Sequence, residues 1–144
     1  MIAVDTNILV YAHRGESPFH NHAAQAIKAL AEAPLNWAIP WPCVHEFIAV
    51  VTNGKFIANA SDMRQVFAQL YAWQESGHLI FLGEGLHHLE TLSELAIINK
   101  LRAGQIHDAR IAAICLQHGV SELWTADRDF SRFPKLKTKN PLLG

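Results

Sequence analysis

Five aspartates occur in this chain, and four of them stand where apolar strands end or apolar helices begin. Asp5 follows Ile2-Ala3-Val4, Asp108 opens the apolar stretch Ala109 to Cys115, and Asp127 and Asp129 follow Leu123-Trp124-Thr125. Asp62, after Ser61 and before a helical pattern, has an ordinary role as a helix cap. Taken singly, the other four have ordinary roles open to them too. Asp5 reads equally as a turn residue beside Thr6 and Asn7, Asp108 as an N-cap, and Asp127 or Asp129 as the cap of a short final turn. Glu46 carries more information. Its helical neighbours three and four residues away are Pro42, Cys43, Ala49 and Val50, all apolar, so its carboxylate is expected to project from a face that ought to be buried. A buried carboxylate needs a partner, a proton or a metal ion.

Whether these acids meet depends on the elements that carry them. Ile2–Val4 reads as a buried parallel strand, and Ile8–Ala12 as a short helical turn. Residues 18–33 are Ala-rich and predict a helix with Ser17 as N-cap and Pro18 at its first position. Trp37–Pro40 predicts a second strand, followed by an almost wholly apolar helix over 42–51. Ser61-Asp62 caps a helix running to about Glu75, which Gly77 stops. His78–Leu82 predicts a third strand, Leu86–Arg102 and His107–His118 two helices, Leu123–Thr125 a fourth strand, and Lys137–Asn140 a fifth on an edge. Strands alternating with helices predict one α/β domain over residues 1–144, a central parallel sheet flanked by helices. The carboxyl ends of such strands are where ligands bind, which is the edge that Asp5, Asp108 and Asp127 share. Carboxylates crowded there repel unless cations neutralise them. Hard oxygen donors without a Cys–His set favour Mg²⁺ or Mn²⁺ over zinc.

The chain's bulk properties narrow the setting. Its 144 residues are half hydrophobic and 17% charged, which fits a folded domain able to bury a core unaided. A formal net charge of −1 gives no global pull on nucleic acid, so any such contact needs a local basic patch. Cys43 and Cys115 lie in apolar runs without zinc-like spacing and read as core residues of a reduced, cytoplasmic protein. The first residues lack a basic segment before their apolar run, and no run approaches the ~18 residues of a membrane span. Secretion and membrane insertion are not expected.

Four segments in order, Val4-Asp5-Thr6-Asn7-Ile8-Leu9-Val10-Tyr11-Ala12, Glu46 on its apolar helix, His107-Asp108-Ala109-Arg110-Ile111-Ala112-Ala113, and Thr125-Ala126-Asp127-Arg128-Asp129-Phe130, resemble the PIN-domain nucleases. Within them, the small VapC toxins of prokaryotic toxin–antitoxin pairs match best in length and motif order, and the resemblance covers essentially the whole chain. It implies a Rossmann-like fold and cleavage of RNA dependent on Mg²⁺ or Mn²⁺. Asp5, Glu46, Asp108 and Asp127 match the family's four acids, and Asp129 matches a further, less central one. Thr125 matches a hydroxyl that supports the site, and Thr6 and Asn7 the polar residues after the first acid. The resemblance also implies a VapB-like antitoxin as partner.

Phosphodiester hydrolysis needs an activated water and a place for negative charge on the phosphoryl oxygens, and metal ions supply both. Asp5, Asp108 and Asp127 are the expected direct ligands, with Glu46 ligating a second ion, binding through water or positioning the nucleophile. Arg128, Arg132, Lys135, Lys137 and Lys139 make a locally basic tail for phosphates, with Arg14 and Arg110 as alternative contacts. The nine histidines show no catalytic spacing, and the four tryptophans are expected in the core or at a subunit interface. A homodimer is expected from the apolar helix over 86–101 and the Trp-rich segments. A haloacid-dehalogenase-like phosphatase would need an acid where Asn7 stands. A receiver domain would need paired acids near the first strand and a late lysine. A catalytically silent RNA-binding or interaction module on the same fold remains the alternative to the nuclease.

Overall fold

A computed structural model describes residues 1–55 and 57–143. Its centre is a five-stranded, wholly parallel sheet in the order β3-β2-β1-β4-β5. The strands are β1 (Ile2–Val4), β2 (Trp37–Pro40), β3 (Leu79–Leu82), β4 (Glu122–Trp124) and β5 (Thr138–Lys139). From β1 the chain moves outward through β2 to β3, then returns to the other side of β1 with β4. The order therefore reverses between β1 and β4, and the carboxyl ends of those two strands border the crevice where such sheets bind ligands. Parallel strands need crossovers that cover them, which explains why Ala3, Val4, Ala38, Ile39 and Leu123 are fully buried.

Six helices supply that cover: α1 (Thr6–His13), α2 (His20–Glu32), α3 (Trp41–Val51), α4 (Met63–Gln74), α5 (His88–Ile98) and α6 (Ile106–Gln117). The buried faces of α1, α2, α3, α4 and α6 join the strands in one apolar core, with Phe47, Ile114, Phe130 and Phe133 among its largest members, and α5 rests on it through the partly buried Leu92 and Leu95. Cys43 and Cys115 are free thiols in this core. No helix among the described residues is long and apolar enough to cross a membrane.

The expected parallel α/β architecture is present, and the differences lie at element ends. The helical turn expected at Ile8–Ala12 is a full helix beginning at Thr6, because Asp5 Oδ1 accepts the Thr6 N–H at 2.8 Å and starts it earlier. Ser17 does not cap α2. Its hydroxyl accepts the Phe19 N–H and its carbonyl accepts the His20 N–H, closing a turn that holds Pro18 and Phe19 outside the helix. The helix expected over 86–102 is only α5. Lys100, at φ 51°, donates to the Ile97 carbonyl, and Leu101 donates to that of Ala96. That pair of bonds closes a helix end of the kind glycine usually makes, so a lysine there gave no warning. Asp62 caps α4 as expected, in a reciprocal pair with Gln65.

Candidate active site

Asp5 leaves the carboxyl end of β1 with its N–H still bonded to the Trp124 carbonyl of β4, so the ladder itself turns its side chain into the crevice. It is 5% exposed, and four donors converge on it. The Thr6 N–H and the Cys43 thiol reach Oδ1 at 2.8 and 3.5 Å. The Thr125 hydroxyl and the Asn7 amide reach Oδ2 at 2.7 and 3.3 Å. Burial nonetheless pushes the Asp5 carboxyl above its ordinary value, against the pull of Thr125 and Thr6.

Thr125 ties this group to the next acid. Its Oγ1 accepts the Asp127 N–H at 3.0 Å, and the Asn7 Oδ1 accepts the Ala126 N–H at 3.0 Å. The segment after β4 is thereby fixed against the start of α1. Asp127 then caps the 3-10 turn Arg128–Arg132 by accepting the Asp129 N–H. The cap role and the site role coexist, since one carboxylate oxygen serves the turn.

Asp108 is not the N-cap of α6. The helix starts at Ile106, and Asp108 sits in its first turn with its carboxylate free to face the crevice. One oxygen from each of Asp108, Asp127 and Asp129 lies within 4.8 Å of the others, an arrangement able to hold a cation. Burial first, then Asp127 and Asp5, push the Asp108 carboxyl up to about 6. Asp5 lines the same cleft but is not in that trio. Asp129, which the sequence ranked below the others, belongs to it.

Glu46 lines the cleft too, but the expectation that it leaves a buried face does not hold. Glu46, Ala49 and Val50 are exposed, because this edge of α3 walls an open cleft rather than packing on a neighbour. Lost hydration at that wall, followed by Asp5, still raises the Glu46 carboxyl, with His107 opposing.

Other expected contacts separate. Arg14 is not available to a phosphate. It is 7% exposed and donates to the carbonyls of Ala58 and Asn59 and to Glu16. Arg110 pairs with Glu84 at 2.7 Å. In the basic tail Arg132 approaches the acids, 3.7 Å from Asp129, while Lys139 lies over the Trp124 ring. Trp37 and Trp73 are core residues, whereas Trp41 is 41% exposed and stacks on Phe81. His13 bonds Gln69 and Ser61 and takes no part in the cleft.

The residues present fit a hard divalent cation. The donors are carboxylates, no lysine or arginine lines the cleft among the described residues, and the Thr6 hydroxyl beside them is buried without a partner. Sequence reasoning missed the apolar part of the lining: Val10, Tyr11, Val50 and Ile111 line the same cleft of about 270 Å³. Val10 and Tyr11 lie three and four residues after Asn7, a helical spacing that was the available signal.

Comparison with known proteins bears on the family and the fold. The chain is 30% identical over 144 residues to Ribonuclease VapC43 of Mycobacterium tuberculosis, covering 100% of this chain and 97% of that one. Its fold resembles VapBC2 from Rickettsia felis, with a TM-score of 0.70, 22% identity and coverage of 97% and 98%. A toxin–antitoxin complex from Klebsiella pneumoniae gives a TM-score of 0.65 at 21% identity, covering 98% of each chain. A profile described as the PIN domain matches residues 2–136, and the chain belongs to that family.

Proposed function

We propose that this chain is a divalent-metal-dependent endoribonuclease acting as the toxin of a toxin–antitoxin pair. The observation that carries the reading is the convergence of the Asp108, Asp127 and Asp129 oxygens at a cleft that Asp5, Glu46, Asp108 and Asp127 line and that, among the described residues, no lysine or arginine lines. Asp108 and Asp127 would hold Mg²⁺ or Mn²⁺, with Asp5 on the buried side and Asp129 on the exposed side. A bound ion of this kind lowers the pKa of water and offsets charge on a phosphoryl oxygen. The residues do the rest. Asp5, fixed by four donors, sets the position of Thr125 and so of Asp127. Glu46, with its carboxyl raised, is placed to accept a proton from an attacking water. Arg132 is the tail cation nearest the acids and the first candidate for a phosphate contact.

The ribonuclease name of the relative at 30% identity supports RNA as substrate. A VapB-like antitoxin, carrying a basic side chain into the acidic cleft, would silence it by occupying the cation's place. Leu86, Leu89, Ile97 and Ile98 are 94%, 80%, 74% and 76% exposed on and beside α5, which supports a homodimer built through that helix. The test is cleavage of single-stranded RNA in Mn²⁺ by the purified chain and by Asp108→Asn. Cleavage that survives EDTA, or that the variant retains in full, would remove the basis of the proposal.

A further inference from the structure

The cleft is lined by two unlike sets of side chains, the acids and an apolar set of Val10, Tyr11, Val50 and Ile111. Each apolar residue stands about one helical turn beyond a polar one on the same helix, Val10 and Tyr11 after Asn7 on α1, Val50 after Glu46 on α3 and Ile111 after Asp108 on α6. Ile111 is buried at 4% exposure, Val50 is 36% exposed, and Tyr11 is half-buried and braced by Phe19, their ring centroids 5.1 Å apart. Among the described residues, Tyr11 is the one aromatic side chain lining the cleft. An apolar set beside a metal-ligating one suits a ligand that is anionic at one end and flat and apolar at the other. A nucleotide has that form.

The one side-chain amide lining the cleft among the described residues is already engaged. The Asn7 amide nitrogen donates to Asp5 and Thr125, and its oxygen accepts the Ala126 N–H. Among the described residues no guanidinium or ammonium lines the cleft to read a base edge. Apart from the Thr6 and Tyr11 hydroxyls, a base entering beside Tyr11 is offered surface rather than a pattern of donors and acceptors. We infer that the Tyr11–Val50 surface is a base-stacking subsite, which takes the base of a nucleotide flanking the scissile phosphate and favours purines by stacking strength.

This subsite rests on the ribonuclease reading, and its test separates the two. The probes are short single-stranded oligoribonucleotides with one 2-aminopurine, moved along the strand. They are bound in Mn²⁺ to the Glu46→Gln protein, which leaves Asp5, Thr125 and the Asp108–Asp127–Asp129 group untouched and is expected to cut too slowly to consume the probe during binding. Fluorescence should fall on binding at one position. Adding Tyr11→Ala should abolish that quenching and weaken binding fivefold or more, the equivalent of about 1 kcal/mol for one base–aromatic stack. Tyr11→Phe should retain both. Val50→Ser, at an exposed position that folding tolerates, should weaken binding without altering the melting temperature. An abasic nucleotide at the quenched position should erase the difference between Tyr11 and Ala. Unchanged quenching and affinity in Tyr11→Ala would overturn the subsite. Wild-type protein that quenches the probe but cuts no RNA in Mn²⁺ would overturn the nuclease and leave the stacking site standing. Cleavage without position-specific quenching would do the reverse.

Discussion

The Thr125 hydroxyl donates to Asp5 Oδ2 at 2.7 Å across 120 residues of sequence, and its oxygen accepts the Asp127 N–H at 3.0 Å. One side chain thus sets the distance between the acid that ends β1 and the acid that follows β4. Thr125→Val keeps the shape and removes the hydroxyl, leaving Asp5 short of a charge-assisted bond in a buried place. The expected cost is about 1.5–3 kcal/mol of stability, with at least a tenfold loss of cleavage rate at saturating Mn²⁺. Thr125→Ser should recover most of both. Thermal melting and single-turnover cleavage measure the two effects, and a Val variant equal to wild type would show that the bond positions nothing.

Arg14 yields a prediction opposite to a phosphate contact. Its guanidinium joins the end of α1 to the Ala58 and Asn59 carbonyls in the connection before α4, while Glu16 takes Nε. Arg14→Ala should lose about 1–2 kcal/mol in a melting experiment, because the buried guanidinium's hydrogen bonds to this connection go while water can reach the exposed Ala58 and Asn59 carbonyls. Arg14→Lys should lose nearly as much, since an ammonium cannot span both carbonyls and Glu16 as a fork does. The salt dependence of RNA binding should not change, whereas losing a phosphate contact would lower its slope.

These residues also show what the sequence made legible. Strands β1 and β2 were readable to the residue because buried parallel strands are short apolar runs between breaks, and the acids stood out because they interrupted such runs. Arg14 was misjudged because its partners are backbone carbonyls, whose positions no sequence spacing reveals. Glu46 was placed on a buried face because apolar neighbours signal burial equally well when they wall a cleft. Asp129 was ranked low because the 3-10 turn that swings it beside Asp108 has no periodicity to read. Tyr11 passed unnoticed on a helix predicted as little more than a turn.

Asp108 predicts a dependence on pH. Its folded carboxyl is pushed up to about 6 from 3.8, so the metal-free native state holds that proton more tightly than the unfolded chain. The stability this lends is fully present below pH 3.8 and is lost as pH rises through 6. Asp108→Asn cannot lose it. In EDTA, the melting temperature of the variant relative to wild type should therefore climb from about pH 4 to about pH 6 and level off above it. The gain should be on the order of 1 kcal/mol or less, because the half-exposed group is screened by solvent. Mn²⁺ should reverse the ranking at pH 7 by stabilising wild type more. A relative melting temperature that is flat across this window would mean that Asp108 feels no crowding.

Glu46→Gln separates a working carboxylate from a structural one. The residue makes no salt bridge among the described residues, and its carboxyl is raised by lost hydration and by Asp5. Removing the charge at nearly constant shape should then leave the metal-free protein at neutral pH as stable as wild type, within about 0.5 kcal/mol, or more stable. Cation binding gains from each nearby carboxylate, so the variant should gain less melting temperature at any fixed Mn²⁺ concentration, its logarithmic rise displaced to higher concentration. Cleavage should fall by about 100-fold or more if Glu46 takes a proton from the attacking water. The deficit should shrink as pH rises, because hydroxide increasingly replaces the lost base. Melting across a Mn²⁺ series and a pH–rate profile of both proteins provide the measurements. A clearly destabilised metal-free variant whose Mn²⁺ response matches wild type would instead place Glu46 in the framework of α3 and outside the chemistry.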